Sequence, residues 1–408
     1  MAQKTALISG AGIAGPAAAF WLNAAGWKAT IVEHAPSRRE GGYVIDFWGL
    51  GYDLAERMGL LHEIERVGYH VRELRVVGDR GERLAGIGTS VFEELTGGRY
   101  VTLARRDLSR LLLATAAQVA DVIFDDTIVA LRQHADGVSV QLRGGLAHHF
   151  DLVVGADGLH SQVRRLAFGP DERFEKPLGY AVAAFEVQNY EPRDPDIYMM
   201  YGVPGRMLGR FTLRDNRSLF LFVFVFDGAL PATLDAQKTL VESLYRTDGW
   251  ESAKVLRRLE ETKVLYLDRV SQIVVPSWSS GRIVLIGDAA FCPSLLAGRG
   301  SALAIVSAYV LAGELARSDG RTDGALVAYE RLLRRCIEMK QAGAARFAGA
   351  FAPRSRFGLW FRNLVLRSFA IPGVAKFAVG REVADRLSLP DYPLPPSEQC
   401  SGVPGERS

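Results

Sequence analysis

Three glycines near the N-terminus have the spacing of a phosphate-binding turn. Gly10, Gly12 and Gly15 form a G-x-G-x-x-G sequence. In such a turn the first glycine allows a tight bend, the second lets the backbone approach a pyrophosphate, and the third lets a helix pack closely on a strand. The following helix offers free N–H groups and a positive dipole end to anionic oxygens. The spacing predicts a dinucleotide site, but it does not separate FAD from a nicotinamide, and a turn that binds nothing has the same sequence.

The elements around this turn follow the order that a dinucleotide site needs. The apolar residues 5–9 predict a buried parallel strand, and a helical pattern then runs to about Ala25, where Gly26 ends it. Residues 29–32 predict a second strand that Glu33 closes. A carboxylate at that position can accept hydrogen bonds from a ribose. This context favours dinucleotide binding.

Two later segments also lead from an apolar strand through a glycine turn toward a helix. The strand FDLVVG runs into Asp157 and Gly158, and the strand RIVLI runs into Gly287 and Asp288. Turns of this kind suit anionic oxygens, because the helix N-terminus faces the ligand. Asp157 could equally be an ordinary helix cap, a role that aspartate favours.

A glycine-rich segment, residues 38–51, holds Asp46 as a lone acid among Tyr43, Phe47 and Trp48. We interpret it as a wall of the cofactor site in preference to a surface loop. Arg105 opens a helix predicted over 105–118, where the dipole disfavours a cation. Either Arg105 points at a phosphate or flavin edge or it is solvated, and its immediate context does not decide.

The character of the chain changes between about residues 165 and 275. Short β-rich, aromatic segments follow one another with tight turns, which predicts an antiparallel sheet that covers the nucleotide domain and leaves a ligand cleft. Even-numbered residues of the strand LFLFVFVF share one face. That face could wall a substrate pocket or form the sheet's own core, and both alternatives stay open for Phe211, Phe220, Phe222, Phe224 and Phe226.

Composition excludes several classes of function. The 408 residues have a net charge of +3 with scattered basic residues, which argues against a nucleic-acid partner. The three cysteines, Cys292, Cys336 and Cys400, form no C-x-x-C pair, so we expect neither disulfides nor a metal site, and a reducing cytoplasm. The chain enters a strand almost at once, so no signal peptide is expected, and no apolar run reaches the roughly 20 residues of a transmembrane segment.

The C-terminal part, residues 324–387, reads as mostly helical. Its stretch FGLWFRNLVLRSF, residues 357–369, predicts either a helix packed on the body or a membrane-surface helix. Residues 389–408 are rich in Pro, Ser and Gly and predict a disordered tail.

Taken in order, the three motifs resemble those of the group A FAD-dependent aromatic hydroxylases, which include para-hydroxybenzoate hydroxylase and the tetracycline-inactivating monooxygenases. The resemblance spans roughly residues 4–390. It implies an α/β fold in which a glutathione-reductase-like, Rossmann-type FAD-binding domain is interrupted by an antiparallel β-sheet substrate domain and followed by C-terminal helices. The expected boundaries are 1–165 and 276–325 for the FAD domain, 166–275 for the sheet domain and 326–388 for the helices.

The resemblance also implies a set of cofactor-binding residues. These are Gly10, Gly12, Ile13, Ala14, Gly15, Glu33, Arg39, Gly42, Asp46, Arg105, Asp157, Gly287, Asp288, Gly298 and Gly300. The first motif and Glu33 would hold the ADP half, Asp157 with Gly158 and Arg164 would lie near the pyrophosphate, and Asp288 would hold the ribityl chain. Arg105 matches an R-x-D-L arginine that contacts the flavin's chain.

For the substrate we expect an apolar pocket drawn from the sheet and from the loop after the third motif. Its candidate residues are Phe211, Phe222, Phe224, Phe291 and Pro293. Phe291 and Ala302 depart from the histidine and asparagine usual near this loop.

The implied activity is that of a monooxygenase. NADPH or NADH would reduce FAD, O₂ would add at the flavin C4a carbon, and the hydroperoxide would hydroxylate or epoxidise an aromatic or polycyclic small molecule. Because the cofactor carries the hard chemistry, no catalytic acid or base is assigned. A halogenase would carry W-x-W-x-I-P, which this chain lacks. A flavin-dependent reductase and a non-catalytic FAD-binding protein stay as alternatives, and a monomer or weak dimer is expected.

Overall fold

The computed structural model describes residues 3–37, 42–145, 147–369, 373, 387–392 and 394. The strands are β1 (Thr5–Ser9), β2 (Lys28–Val32), β3 (Val44–Trp48), β4 (Glu73–Val77), β5 (Arg83–Gly88), β6 (Tyr100–Ala104), β7 (Ala120–Ile123), β8 (Ile128–Gln133), β9 (Val138–Leu142), β10 (Ala147–Phe150), β11 (Leu152–Gly155), β12 (Glu175–Gln188), β13 (Ile197–Val203), β14 (Arg206–Thr212), β15 (Arg217–Val225), β16 (Tyr266–Ile273), β17 (Ser279–Ser280) and β18 (Ile283–Leu285). The helices are α1 (Ala14–Ala24), α2 (Leu50–Arg57), α3 (Leu61–Val67), α4 (Ser90–Thr96), α5 (Arg105–Ala116), α6 (Gln162–Ala167), α7 (Leu234–Tyr245), α8 (Ser252–Glu261), α9 (Asp288–Phe291), α10 (Gly300–Arg317), α11 (Thr322–Phe351) and α12 (Arg356–Ser368).

A six-stranded sheet in the order β17-β18-β11-β1-β2-β7 forms the nucleotide-binding body. Apart from β17, its neighbouring strands pair in parallel. The registers align Ser9 with Gly155 and Gly155 with Leu285. Because parallel strands end at the same edge of a sheet, the three glycine motifs that follow β1, β11 and β18 begin side by side.

Helix α1 packs between this sheet and helix α10. Helix α1 is rich in alanine and is buried over Ala14 to Leu22. Helix α10 packs on it, and the rings of Trp21 and Tyr309 meet edge to face at 5.0 Å. Small side chains let α1 lie close to both the sheet and α10, so the glycine turn before α1 is held on a rigid support.

A seven-stranded sheet in the order β16-β12-β15-β14-β13-β4-β5 faces the body. Two of its strands, β4 and β5, come from the segment 1–165 that was expected to belong wholly to the FAD domain. The sheet corrects the purely antiparallel prediction, since β4 pairs in parallel with β13, with Glu73 opposite Ile197. A partner more than a hundred residues away leaves no local signal in the sequence.

The C-terminal segment corrects the predicted disordered tail in part. Tyr392 and Leu394 are buried against the body, and Tyr392 Oη donates to Glu314 Oε1 at 2.5 Å. The ring of Tyr392 occupies the space that a side chain at Gly313 would need. Composition indicates disorder in a Pro-rich stretch, but it gives no sign that single apolar residues within the stretch can bind to the body. Residues 395–408 lie outside the described part of the chain.

Within the described residues, α10 is the one helix long and apolar enough to cross a membrane. In this fold 72% of that window is buried inside the protein, as expected for a core helix.

Candidate functional site

The first glycine turn has the geometry that its sequence predicts. Gly10 has φ +105°, and a Cβ there would lie 2.6 Å from the carbonyl oxygen of Ala156. A Cβ on Gly15 would lie 1.9 Å from the carbonyl oxygen of Gly10. Both positions therefore require glycine for packing alone. At Gly12, by contrast, a Cβ would meet no heavy atom of the described residues within 4 Å.

The space beside Gly12 is flanked by an uncapped helix start. Helix α1 begins at Ala14, and its N-cap residue, Ile13, makes no side-chain cap hydrogen bond. Free N–H groups and the helix dipole at this point favour an anion. The open space, the permissive glycine and the uncapped helix together fit the pyrophosphate of a dinucleotide.

Glu33 stands at the end of β2 beside the same turn. Its Oε2 accepts a hydrogen bond from the Ala11 N–H at 2.8 Å, and its Oε1 accepts one from the Ala35 N–H at 3.0 Å. The side chain is buried, and these two bonds fix the carboxylate against the glycine loop. A carboxylate has roughly four lone-pair sites, so it keeps acceptor capacity for ribose hydroxyls.

The second motif serves mainly as a structural link. Asp157 Oδ2 accepts hydrogen bonds from the N–H groups of Gln162 at 2.8 Å and Val163 at 3.1 Å, and Oδ1 accepts one from Ser161 Oγ. Asp157 thus behaves as the helix-cap alternative describes, and its oxygens are engaged by α6. Its assignment to the cofactor stays a prediction.

Arg164, which stays a prediction for the neighbourhood of the pyrophosphate, is fully buried. Its guanidinium donates to the carbonyl oxygen of Ala289 at 3.0 Å, to that of Leu159 at 2.7 Å and to Asp171 Oδ1 at 2.7 Å. These bonds join the second motif to α9 of the third. The arginine therefore shapes the site indirectly, by holding two of its loops together.

The third motif places the carboxyl of Asp288 within electrostatic reach of the Arg105 guanidinium. Asp288 begins α9, and burial raises the pKa of its carboxyl while Arg105 opposes that rise. Arg105 begins α5, and its backbone N–H donates to the Tyr43 carbonyl oxygen at 2.9 Å. Its guanidinium lies 5.9 Å from the Tyr43 ring centre. A Cβ on Gly300 would lie 3.3 Å from Asp288 Oδ1. Arg105 therefore points into the cleft beside Asp288, which supports the cofactor alternative over a solvated arginine.

Asp46 lies on β3 and receives hydrogen bonds from both sides of the cleft. Thr102 Oγ1 donates to its Oδ1 at 2.6 Å, and Tyr198 Oη of β13 donates to the same oxygen at 3.1 Å. Burial raises the pKa of this carboxyl, and the two hydrogen bonds partly offset the effect. Asp46 also lines a pocket whose other walls include Trp48, Gly51, Gly298, Arg299 and Ala302.

Close helix packing explains why a small residue, Ala302, stands at this point of the pocket wall. A Cβ added at Gly51 would lie 2.6 Å from the Ala302 Cβ, so α2 and α10 approach each other closely there. A side chain as large as asparagine would disturb that contact. Arg299 stacks its guanidinium 4.9 Å from the Trp48 ring centre across the same pocket.

Three of the five predicted pocket residues are core residues instead. Phe222 and Phe224 are fully buried in a cluster with Tyr245 and Val255 of the helices α7 and α8, which cover that face of the sheet. Phe291 is 2% exposed, and its ring centre lies 4.6 Å from that of Trp278. The predicted alternation of side chains between the two faces of β15 is confirmed, but the sequence does not reveal which face the helices cover.

The opposite face of the seven-stranded sheet looks toward the cofactor loops. Phe211 is partly buried there, 4.5 Å from the Tyr198 ring, in a cluster that also includes Met200. Leu295 and Leu296, from the loop after the third motif, pack into the same cluster. Pro293 is buried nearby on that loop. Phe211 and Pro293 therefore stay candidates for the pocket.

The structure gathers most of the predicted residues along one cleft, and it adds others. Gly42 lies next to Arg105, since a Cβ on it would lie 4.0 Å from the Arg105 Cβ, whereas Arg39 lies outside the described residues. Sequence reasoning missed Tyr198 and Arg299, which carry no motif of their own. No group of His, Cys, Asp or Glu suited to hold a metal ion occurs in the part of the chain that the structure describes.

The fold and this cleft define a FAD-binding oxidoreductase, and comparisons with known proteins agree. A family profile described as FAD binding domain matches residues 3–336. A flavin-dependent monooxygenase from Legionella longbeachae is 32% identical, with 94% of this chain and 92% of the relative covered, and one from an unknown prokaryotic organism is 34% identical, with 83% and 88% covered. The chain belongs to the FAD binding domain family and is an FAD-dependent monooxygenase of the aromatic-hydroxylase kind.

Solved structures show the same architecture. The tetracycline destructase Tet(55) superimposes with a TM-score of 0.81 at 29% identity, covering 96% of this chain and 99% of that protein. HpxO from Klebsiella pneumoniae, solved with FAD and uric acid, has a TM-score of 0.77 at 22% identity, covering 92% and 97%. The second likeness shows the fold alone.

Proposed function

We propose that this monooxygenase uses NADPH or NADH to hydroxylate or epoxidise an aromatic or polycyclic small molecule bound between the seven-stranded sheet and the cofactor loops. The observation that carries the proposal is the position of Phe211 and Tyr198. The two side chains form part of an apolar surface on the sheet. That surface faces the loop that follows Asp288 and the rest of the third motif. Flat apolar substrates suit such a surface, and hydrogen-bonding groups at its edge orient them.

Each part of the cleft has a role in this proposal. The N–H groups at Gly12, Ile13 and Ala14 would bind the pyrophosphate, and Glu33 would accept hydrogen bonds from the ribose. Asp288 accepts hydrogen bonds from the ribityl hydroxyls. The chemistry supplied by FAD bound there would be acceptance of a hydride from the nicotinamide and activation of O₂.

Arg105 and Asp46 act at the far end of the same cleft. Arg105 places a fixed positive charge beside Asp288, where it orients the flavin chain and balances negative charge. Asp46, held by Thr102 and Tyr198, keeps a hydrogen-bonding carboxyl at the pocket wall. Packed apolar side chains around it exclude water, which strengthens each polar contact inside.

The nicotinamide has no binding domain of its own in this proposal. The sequence holds a single G-x-G-x-x-G turn in a strand–helix–strand setting. FAD would occupy that turn. NADPH or NADH must then dock transiently in the cleft, and the substrate enters the same space before or after it.

A panel assay tests the proposed activity. Purified enzyme is mixed with NADPH or NADH and with aromatic and polycyclic compounds, and a tetracycline is included because Tet(55) is a tetracycline destructase. Stimulated NAD(P)H oxidation with a product heavier by one oxygen atom supports the proposal. Stimulated oxidation with a product that has gained two hydrogens would favour a reductase, and flavin binding without any stimulation across the panel would favour a non-catalytic protein.

A further inference from the structure

Helix α12 presents a stripe of large apolar side chains to the solvent. The exposed fractions are 71% for Phe357, 58% for Trp360, 53% for Phe361 and 47% for Leu364. These positions follow i, i+3, i+4 and i+7, so they lie along one face of the helix. The ring centres of Phe357 and Trp360 are 5.7 Å apart, and those of Phe357 and Phe361 are 6.4 Å apart. The stripe is therefore a continuous aromatic patch, and contiguous patches of this kind mark interaction sites.

The rest of α12 is anchored to the protein. Leu366 packs into the cluster on the cleft face of the seven-stranded sheet. Arg367 Nε donates to the Leu84 carbonyl oxygen at 2.7 Å, and Arg362 Nη1 donates to the Phe351 carbonyl oxygen at 3.1 Å. Ser355 Oγ caps the helix by accepting from the Gly358 N–H at 3.0 Å. The helix thus has a bound inner face, and the aromatic stripe is its outer face.

The sequence around the stripe is one-sided in charge. Residues 352–369 contain four basic side chains and no aspartate or glutamate. Arg354 and Arg356 are exposed directly before Phe357. This contrasts with the whole chain, in which 49 basic residues nearly balance 46 acidic ones. The patch is therefore complementary to an anionic surface.

We propose that α12 docks this enzyme on anionic phospholipid membranes. The helix lies in the plane of the interface, the aromatic stripe enters the boundary between headgroups and acyl chains, and the arginines contact lipid phosphates. Exposed Trp and Phe on one helix face with basic neighbours is the composition of interfacial helices. A second copy of the chain is a poorer occupant, because pairing two such faces would bring like charges together without any acid to neutralise them. The inference goes beyond the proposed oxidation and does not depend on it.

Vesicle co-sedimentation of the full-length protein tests the inference. The probes are vesicles of phosphatidylcholine alone and of phosphatidylcholine mixed with phosphatidylglycerol. The variant Trp360→Ser/Phe361→Ser removes the centre of the stripe, and Val327→Ser on α11, where Val327 is 64% exposed, is the matched control. We expect wild type and control to bind the mixed vesicles and the double variant to bind at least about tenfold more weakly.

Salt and charge provide an independent check. Binding should weaken from about 0.1 M to about 1 M salt, because exposed charges are then screened. Arg356→Glu changes an exposed position, so it should weaken binding to the mixed vesicles with little effect on folding. This variant replaces the double variant in the test if the double variant is unstable.

Three results would overturn the inference. The wild type could fail to sediment with the mixed vesicles, or the double variant could bind as well as the wild type. Concentration-dependent dimers without lipid that the double variant loses, together with no vesicle binding, would assign the patch to self-association.

Discussion

Tyr198 Oη donates a hydrogen bond to Asp46 Oδ1 at 3.1 Å and so joins the two halves of the cleft. Tyr198 belongs to β13 of the seven-stranded sheet, and Asp46 belongs to β3, on the side of the cofactor loops. Thr102 on β6, the partner strand of β3, holds the same oxygen. The pocket wall is therefore fixed from both sides before any ligand enters.

Replacing Asp46 with Asn should change how stability depends on pH. Burial raises the pKa of Asp46 in the folded protein, so the folded state holds this proton more tightly than the unfolded state. The stability from that proton is fully present below the unfolded pKa of about 3.9 and is lost as pH rises through the folded pKa. Wild type should therefore lose more stability than Asp46→Asn as pH rises from about 4, measured as the free energy of unfolding in urea. Parallel curves for the two proteins would contradict the assignment.

Two glycine substitutions should separate packing from cofactor binding. Gly10→Ala meets the Ala156 carbonyl and a positive φ, so it should destabilise the FAD-free protein by about 2 kcal/mol or more. Gly12→Ala fills open space and should leave the FAD-free protein's stability nearly unchanged while weakening FAD binding about tenfold or more. Urea unfolding and flavin titration measure the two effects. Normal FAD affinity in a stable Gly12→Ala variant would remove the pyrophosphate from this turn.

Asp288→Ala should lose FAD affinity without losing the fold. A hydrogen bond to a charged group contributes about 1.5–3 kcal/mol, which corresponds to roughly 10- to 150-fold in flavin affinity. Removing this acid relieves its own desolvation cost but takes a counter-charge from Arg105, so we expect the two effects to offset each other and stability to change little. Asp136→Ala is the control, because the side chain of Asp136 is 84% exposed. Equal flavin affinity in both variants would show that Asp288 does not contact the cofactor.

Phe222→Ala should mainly lower stability, whereas Phe211→Ala should mainly weaken the use of substrate. Phe222 is fully buried under α7 and α8, so its loss should cost about 3–5 kcal/mol of stability. Phe211 lies on the cleft face and is only partly buried, so its loss should mainly raise the KM for the substrate found in the panel. A Phe211→Ala variant with normal KM but a large loss of stability would move the pocket away from this residue.

The sequence predicted the parts of the site that obey local rules. Glycine turns, strand ends and helix starts are set by neighbours a few residues apart, so Gly10, Glu33 and Asp288 could be placed correctly at their elements. Pairings across long separations could not be read in this way. One example is the parallel pairing of β13 with β4. Another is β15, whose sequence does not show which face α7 and α8 cover; Phe222 was a candidate for the pocket, but it lies in the core.

Side chains without a motif were missed for a related reason. Tyr198 and Arg299 acquire their roles only when β13 and the loop before α10 approach β3. The apolar and aromatic composition of β13 was the available signal, but it indicates a strand and gives no information about the element opposite. Arg164, in turn, is close in sequence to the second motif, yet both its terminal nitrogens donate to structural partners, among them Ala289 and Asp171.

The most direct test of the central claim follows the oxygen atom. The enzyme is reconstituted with FAD and given NADPH or NADH, the substrate found in the panel and ¹⁸O₂, and the product is analysed by mass spectrometry. We predict one ¹⁸O atom in each product molecule, none from ¹⁸O-labelled water, and one NAD(P)H oxidised per product formed. A product that carries its new oxygen from water, or that forms equally fast without O₂, would contradict the assignment of this cleft to monooxygenase chemistry.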